Sequence, residues 1–252
     1  MFATFKLLFV LTAFGPLAGI LGIPYSWLIK DIGPLYRVAM RIIRLALKAG
    51  GIKVKTSGLE NVPTGQSVIY MVNHVSNLDP PVLIPNLPGR CSVLLKKELM
   101  RIPILGTAMR MAQFVPVERG HRRDAAAASV AAAASALNSG LNILVFPEGT
   151  RARDGRLSTF KKGPFFLAQQ THAPVVPIAI SGTERMMRKG SAAIYPGTAH
   201  IQFLAPLNPD AYPTREALMD AVRSAIAAAL PPEMRPEAVR PDGPTARGAV
   251  TS

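Results

Sequence analysis

Six short apolar runs, spread over residues 51–230, are the feature that most restricts how this chain can fold. They are rich in β-branched residues, which favour strands, and several are apolar almost throughout, as in strands covered on both faces. The runs occupy residues 52–56, 67–72, 91–95, 141–146, 175–180 and 199–204. They predict the buried sheet of one sizeable domain.

Stretches with helical character separate these runs. They occupy residues 80–85, 97–111, 124–139, 158–171 and 214–230. The clearest is alanine-rich, with Asp124 in its first turn and Gly140 directly after its end. Strands that alternate with helices indicate an α/β fold, here a mixed, mostly parallel sheet flanked by helices.

The two ends of the chain differ from this domain. Residues 1–50 are predicted to form a membrane-anchoring helical segment, and residues 231–252 contain five prolines and are predicted to be a disordered tail. A cleaved signal peptide is disfavoured, because only Lys6 is basic before the apolar run and no small-x-small cleavage site follows it. The segment is therefore expected to remain attached.

The N-terminal segment has two parts. Residues 7–29 carry no charge and are long enough to span a bilayer, but Gly15-Pro16, Gly19, Gly22 and Pro24 predict that they do not form one uninterrupted helix. Residues 35–48 predict a basic amphipathic helix suited to an anionic headgroup layer, with four basic residues on one face: Arg37, Arg41, Arg44 and Lys48.

Three arrangements of this segment are open. A membrane-dipping, monotopic anchor on the cytoplasmic face is favoured. A single span is the first alternative, in which the basic residues after Lys30 keep the domain cytoplasmic. The second alternative is a helix packed on the sheet with its basic face in water.

The net charge of +14 points to an anionic partner, either a membrane surface or a phosphorylated substrate. Nucleic acid is disfavoured, because aromatic residues are sparse and no recognised nucleic-acid motif is present. The single cysteine, Cys91, excludes an internal disulfide and any multi-cysteine metal site.

His74 and Asp79 are the first candidates for chemistry. Residues five positions apart point about 140° from each other on a helix and to opposite faces of a strand, so these two can meet only across a turn. A strand predicted to end near Val72, and Asp79-Pro80 as a helix N-cap and first helical residue, supply that turn. The alternative is that Asp79 only caps the helix and His74 is an ordinary loop residue.

Two further stretches could bind an anion. Pro147-Glu148-Gly149-Thr150 follows the run 141–146 and precedes Arg151, so it predicts either an anion site or a solvated basic loop. Residues 96–123 carry seven basic residues and two acids, and Arg119 is predicted at a strand end after the apolar residues 114–117.

Together these stretches resemble the glycerolipid acyltransferase family, specifically the 1-acylglycerol-3-phosphate (lysophosphatidic acid) acyltransferases. The matching blocks are NHVSNLD at 73–79, LKKEL at 95–99 continuing through IPILG at 102–106 to Arg119, VFPEGTR at 145–151, and VPI at 176–178. Their order and spacing agree over residues 70–180. One position departs from the family pattern, because Gln113 stands where the family usually has glycine.

The resemblance implies a role for each site residue. His74 would be the general base and Asp79 would orient its imidazole. Lys96, Arg119 and Arg151 would hold the acceptor phosphate, arginine being suited to bidentate contact. Glu148 would help orient the acceptor glycerol, and Gly149 and Thr150 would shape the turn.

The resemblance also implies the reaction and its partners. The acyl donor would be a thioester, acyl-CoA or acyl carrier protein, and the acceptor a lysophospholipid; neither a metal nor a cofactor would be needed. Direct transfer is favoured, because the chain has no G-x-S-x-G sequence and Cys91 has no recognisable partner base. The alternatives are an acyltransferase for another lysolipid, such as a lyso-ornithine lipid, and a non-enzymatic basic peripheral membrane protein.

Overall fold

The computed structural model describes residues 2–117, 123–152, 154–188 and 190–237. Within them, seven strands form one sheet in the order β1-β7-β6-β2-β5-β3-β4. The strands are β1 Ile52–Ser57, β2 Ile69–Val72, β3 Cys91–Lys96, β4 Val115–Val117, β5 Asn142–Val145, β6 Val175–Ser181 and β7 Gly197–Phe203. The five strands from β6 to β4 run parallel, while β7 is antiparallel to β6 and parallel to β1. The predicted mixed, mostly parallel sheet is confirmed.

Helices cover both faces of the sheet. They are α1 Phe2–Ile29, α2 Gly33–Ala49, α3 Asp79–Leu83, α4 Leu105–Met111, α5 Arg123–Asn138, α6 Gly163–Thr171, α7 Thr183–Met186 and α8 Arg215–Ala229. Alternate residues of β2 divide between two core layers: Ile69 and Met71 pack with α6 and α8, while Tyr70 and Val72 pack with α2 and α3. The domain thus has a helix–sheet–helix architecture that aligns the carboxyl ends of the parallel strands at one edge.

Two predicted helices differ from their sequence patterns: one is divided in two, and the other begins later. The stretch 97–111 divides into a 3₁₀ turn, Lys97–Arg101, and α4, with Pro103 between them. Proline disfavours helical backbone in the residue before it, which explains the break. The stretch 158–171 becomes helical only at Gly163, where Pro164 occupies an N-terminal position that needs no amide donor.

The prediction that residues 7–29 do not form one helix is wrong, because α1 runs unbroken through Pro16 and Pro24. Its glycines are contact sites rather than breaks. A Cβ on Gly22 would lie 2.6 Å from Leu35 Cδ1, and one on Gly19 would lie 2.1 Å from Ile104 Cγ2. The close approach of these neighbours stabilises a helix whose intrinsic propensity is poor.

Helix α2 forms an antiparallel pair with α1, and its amphipathic pattern is confirmed. Its four basic residues are exposed, while Ala46 and Leu47 are buried in the core, with Ile42 and Ile43 packed against them. The apolar face of α2 is therefore largely covered by the protein itself. Large exposed apolar side chains are concentrated instead on α1. By length and composition α1 is the one described helix that could cross a membrane.

The beginning of the predicted tail is ordered. Residues Pro232–Met234 form a 3₁₀ turn, Met234 is buried, and its carbonyl accepts a hydrogen bond of 2.8 Å from the Leu157 amide. The sequence misses this because one buried methionine anchors an otherwise proline-rich stretch. The domain therefore extends beyond residue 230, and residues 238–252 lie outside the described part of the chain.

Candidate active site

His74 and Asp79 meet at the carboxyl end of β2. His74 Nδ1 lies 2.8 Å from Asp79 Oδ2. The same oxygen accepts hydrogen bonds of 2.8 Å from the backbone amides of Val75 and Ser76, and the other oxygen accepts one of 2.5 Å from the Thr183 hydroxyl. An oxygen that already accepts two amide protons acts as an acceptor, so Nδ1 carries the ring proton and Nε2 is the nitrogen able to take another.

Asp79 is fully buried, whereas the His74 side chain keeps 12% of its exposure. Asp79 is the first residue of α3, its N-cap is Leu78, and no side chain caps that helix. The predicted N-cap role of Asp79 is therefore wrong. The carboxylate turns back instead to hold the loop 73–78, which places the imidazole at the surface with its acid partner beneath it.

The loop after β5 holds the backbone of His74 from both sides. The Glu148 carboxylate accepts a hydrogen bond of 2.7 Å from the His74 amide, and the Ala152 amide donates one of 2.9 Å to the His74 carbonyl. The Phe146 ring stacks on the imidazole, with 4.2 Å between ring centroids. These contacts join the two sequence motifs because β2 and β5 are parallel neighbours.

The family pattern implies that Glu148 orients the acceptor glycerol, and in the structure its carboxylate is bonded to backbone amides. Its second oxygen accepts a hydrogen bond of 3.0 Å from the Ser158 amide, and the residue is buried. Burial raises the pKa of Glu148, while the hydrogen bonds from the His74 and Ser158 amides oppose that shift. Its structural task is to position the backbone of His74.

Gly149 and Thr150 form the turn that this loop requires. Gly149 has a φ of +71°, in the left-handed region that favours glycine, and its amide donates to the Phe146 carbonyl at 3.0 Å. Thr150 is exposed and Arg151 is half-buried, next in the chain to Ala152. The turn thus carries Arg151 to the same edge of the sheet as His74.

Lys96 ends β3, one strand beyond β5 at this edge. Its ammonium group lies 3.4 Å from the Glu98 carboxylate and is half exposed. The strand predicted before Arg119 is present as β4, whose Val117 pairs with Lys96. Arg119 itself lies outside the described residues.

Gln113 adopts a φ of +59°, in the left-handed region that favours the glycine usual in this family. Two serine hydroxyls hold it in that strained conformation. Ser92 donates to its backbone carbonyl, and the Ser139 hydroxyl lies 3.2 Å from its side-chain oxygen. The departure from the family pattern is therefore accommodated by local hydrogen bonds.

A second histidine–carboxylate contact shows why burial matters. His172 Nδ1 lies 2.7 Å from Asp210 Oδ1, but both side chains are more than half exposed. This pair, at the end of α6, is a surface contact in water. Proximity alone does not distinguish the two pairs, whereas the fully buried carboxylate of Asp79 does.

Comparison with known proteins gives a consistent result. Residues 53–181 match the Acyltransferase family. The chain is 32% identical to the 1-acyl-sn-glycerol-3-phosphate acyltransferase of Limnanthes douglasii, over 83% of this chain and 73% of that protein. It is 33% identical to the 1-acyl-sn-glycerol-3-phosphate acyltransferase alpha of Homo sapiens, over 74% of this chain and 68% of that protein.

A solved structure with the same fold is the 1-acyl-sn-glycerophosphate (LPA) acyltransferase PlsC from Thermotoga maritima. It has a TM-score of 0.76 and 27% sequence identity, covering 90% of this chain and 92% of that one. The family match spans half of the chain, and the histidine–aspartate pair and the Pro-Glu-Gly-Thr turn both lie within it. The chain therefore belongs to the acyltransferase family.

Proposed function

We propose that this enzyme transfers a fatty acyl group from a thioester to the sn-2 hydroxyl of 1-acyl-sn-glycerol-3-phosphate, giving phosphatidic acid. The observation that carries the proposal is the buried Asp79 carboxylate, which presents His74 as a base at the sheet edge. The names of the relatives support this acceptor. The donor is acyl-CoA or acyl carrier protein.

In the proposed reaction, His74 Nε2 takes the proton of the acceptor hydroxyl as its oxygen attacks the thioester carbonyl. The tetrahedral intermediate then collapses, the carbon–sulfur bond breaks, and the departing thiolate receives the proton from His74. Asp79 keeps Nδ1 protonated and stabilises the imidazolium between these two steps. No cofactor is needed, because a thioester is already activated.

Transfer is proposed to be direct, without an acyl-enzyme. Cys91 is the only cysteine of the chain, and it is buried in β3. Burial raises the pKa of its thiol to about 12, so the nucleophilic thiolate is not formed near neutral pH.

The acceptor phosphate is proposed to bind Lys96, Arg119 and Arg151. Replacing Arg151 by alanine is expected to raise the KM for 1-acyl-sn-glycerol-3-phosphate about ten- to a hundred-fold, the value of one charge-assisted hydrogen bond. The KM for the thioester should change much less. Thiol release measured at varied concentrations of each substrate checks both values.

Two comparisons sharpen this test. Arg151→Lys keeps the charge but loses the planar fork, so it should recover only part of the affinity. Arg215→Ala removes a guanidinium at the start of α8, where it pairs with Glu216, and should leave both KM values unchanged. Equal weakening by Arg151→Ala for a monoacylglycerol, which has no phosphate, would contradict the phosphate role.

The same assay decides the acceptor class. Thiol release with lysophosphatidic acid should exceed that with lyso-ornithine lipid and with lysophospholipids that carry a headgroup. A preference for one of these would assign the protein to another lysolipid. No turnover with any acceptor would favour a peripheral membrane protein, although such a protein has no need of a buried partner for His74.

We also propose that α1 dips into the cytoplasmic face of the membrane without crossing it. Contacts with the rest of the protein extend along α1. The Ile194 amide donates to the Thr4 hydroxyl at 2.8 Å, Leu7 packs against Gly50, and Ile104 packs against Gly19. A perpendicular span of about 20 residues would have to break most of them. The exposed basic face of α2 would meet anionic headgroups.

Cysteine labelling in sealed inside-out vesicles tests this anchor. Phe2→Cys and Thr64→Cys, the second on the exposed surface of the domain, should both react with an impermeant maleimide added outside. Buried Cys91 should stay unlabelled in the parent protein. Labelling of position 64 from outside, with position 2 reached only after permeabilisation, would establish a span.

A further inference from the structure

A second group of exposed apolar side chains lies outside α1, between β3 and α4. Leu99, Ile102 and Leu105 keep 40%, 43% and 45% of their exposure, within a stretch of seven residues. Soluble surfaces rarely gather large apolar residues in this way, and such groups mark contacts with a partner or a membrane. We refer to residues 97–105 as the β3–α4 loop.

The β3–α4 loop rests on the middle of α1. The Ile104 side chain fills the space that the absent side chain of Gly19 leaves on α1. Around this contact Ile23 is buried, and Ala18 and Met111 pack against the same cluster. The exposed side of the loop is therefore continuous with the exposed apolar side of α1.

The backbone of Ile104 is held in a strained turn. Its φ of +64° and ψ of −61°, with a 2.6 Å hydrogen bond from the Leu105 amide to the Pro103 carbonyl, define a γ-turn with positive φ. This turn is rare, and a β-branched residue in it is strained. Here it directs Ile104 to α1 while Ile102 and Leu105 stay exposed on either side.

Charge also distinguishes this loop. Lys97 and Arg101 are exposed beside Leu99 and Ile102, and the one acid of the loop, Glu98, pairs with Lys96. Basic residues interleaved with apolar ones are typical of surfaces that bind anionic bilayers, since the charges contact headgroups while the apolar side chains enter the acyl boundary.

We propose that the β3–α4 loop is a second bilayer contact, inserting Leu99, Ile102 and Leu105 beside α1. This rests on the proposed function, in which the acceptor is a membrane lipid. Lys96, a proposed phosphate ligand, directly precedes the loop. The contact would hold this phosphate ligand at the headgroup layer from which the acceptor comes.

Tryptophan quenching in vesicles tests the proposal. The chain has one tryptophan, Trp27 on α1, so Trp27→Phe gives a silent background for Leu99→Trp and for Ile102→Trp. The matched control is Leu59→Trp. Leu59 is 42% exposed in the 3₁₀ turn that follows β1, whose carboxyl end lies at the opposite edge of the sheet. Circular dichroism confirms that each variant is folded.

The vesicles contain phosphatidylglycerol and phosphatidylcholine brominated on its acyl chains. Tryptophans at positions 99 and 102 should be quenched about two-fold or more, because they would lie within the acyl boundary, while position 59 should not respond. Quenching no greater than at position 59 overturns the proposal. So does a blue-shifted, unquenched emission that depends on protein concentration, which would place a second copy of the chain on the loop. Quenching does not require turnover, so thiol release on the same samples tests the enzymatic proposal separately.

Discussion

His74→Ala protein is expected to fold and to bind membranes normally, yet to turn over at least about a hundred-fold more slowly than the parent enzyme. The fold should survive because Glu148 and Ala152 hold only backbone atoms of residue 74. In the proposed mechanism the imidazole takes the proton of the acceptor, and Asp79 holds it through Nδ1. The measurement is kcat from thiol release with saturating lysophosphatidic acid and acyl-CoA.

The control removes the other histidine that touches a carboxylate. His172→Ala breaks the exposed contact with Asp210 at the end of α6 and should leave kcat unchanged. This variant matches the chemical change of His74→Ala without touching the proposed site. If His74→Ala retained more than about a tenth of the parent turnover, His74 would not be the general base.

The strands were predictable because their signal is local. Each run of β-branched residues became a strand, with ends shifted by one or two residues in most cases. Their order in the sheet was not predictable. Strand β2 lies between β5 and β6, and both of these strands are far from β2 in the sequence. That order is what brings the loops 73–79 and 146–152 together.

Helix α1 shows where local rules mislead. Proline and glycine disfavour helices, and this predicted a break that the structure does not have. The helix persists because Gly19 and Gly22 permit close packing against Ile104 and Leu35. Such compensation depends on neighbours about 13 and 85 residues away, which no local pattern contains.

The contact between His74 and Asp79 was predictable from the motif, but the contacts around this pair were not. The motif identified His74 and Asp79, whereas the hydroxyl of Thr183 reaches Asp79 only because β6 lies beside β2. The contacts of Glu148 were also hidden, because no sequence pattern shows that its carboxylate accepts a hydrogen bond from the His74 amide. The positive φ at Gln113 could have been predicted, because the family usually has glycine at that position.

Replacing Asp79 by alanine should have the largest effect on stability. The Val75 and Ser76 amides and the Thr183 hydroxyl, all buried, would lose their acceptor. Each unsatisfied buried donor costs about 1–3 kcal/mol, so unfolding should occur at clearly lower denaturant concentration. Turnover should fall about as far as in His74→Ala, since an unoriented imidazole is a poor base. This variant alone cannot separate a catalytic from a structural role.

Asp79→Asn separates these roles. The oxygen bonded to His74, Val75 and Ser76 faces three N–H donors, so the amide of asparagine must place its oxygen there and its nitrogen toward the Thr183 hydroxyl, which can accept. The three N–H bonds and the histidine tautomer are kept, and the cost in stability should be only about 1 kcal/mol. The charge that stabilises the imidazolium is lost, so kcat should fall about ten- to a hundred-fold. Denaturant unfolding and thiol release on the same preparation give both quantities. Parent-level kcat in Asp79→Asn, together with unfolding of Asp79→Ala at lower denaturant, would show that Asp79 only holds the loop, and the proposed electrostatic role would be abandoned.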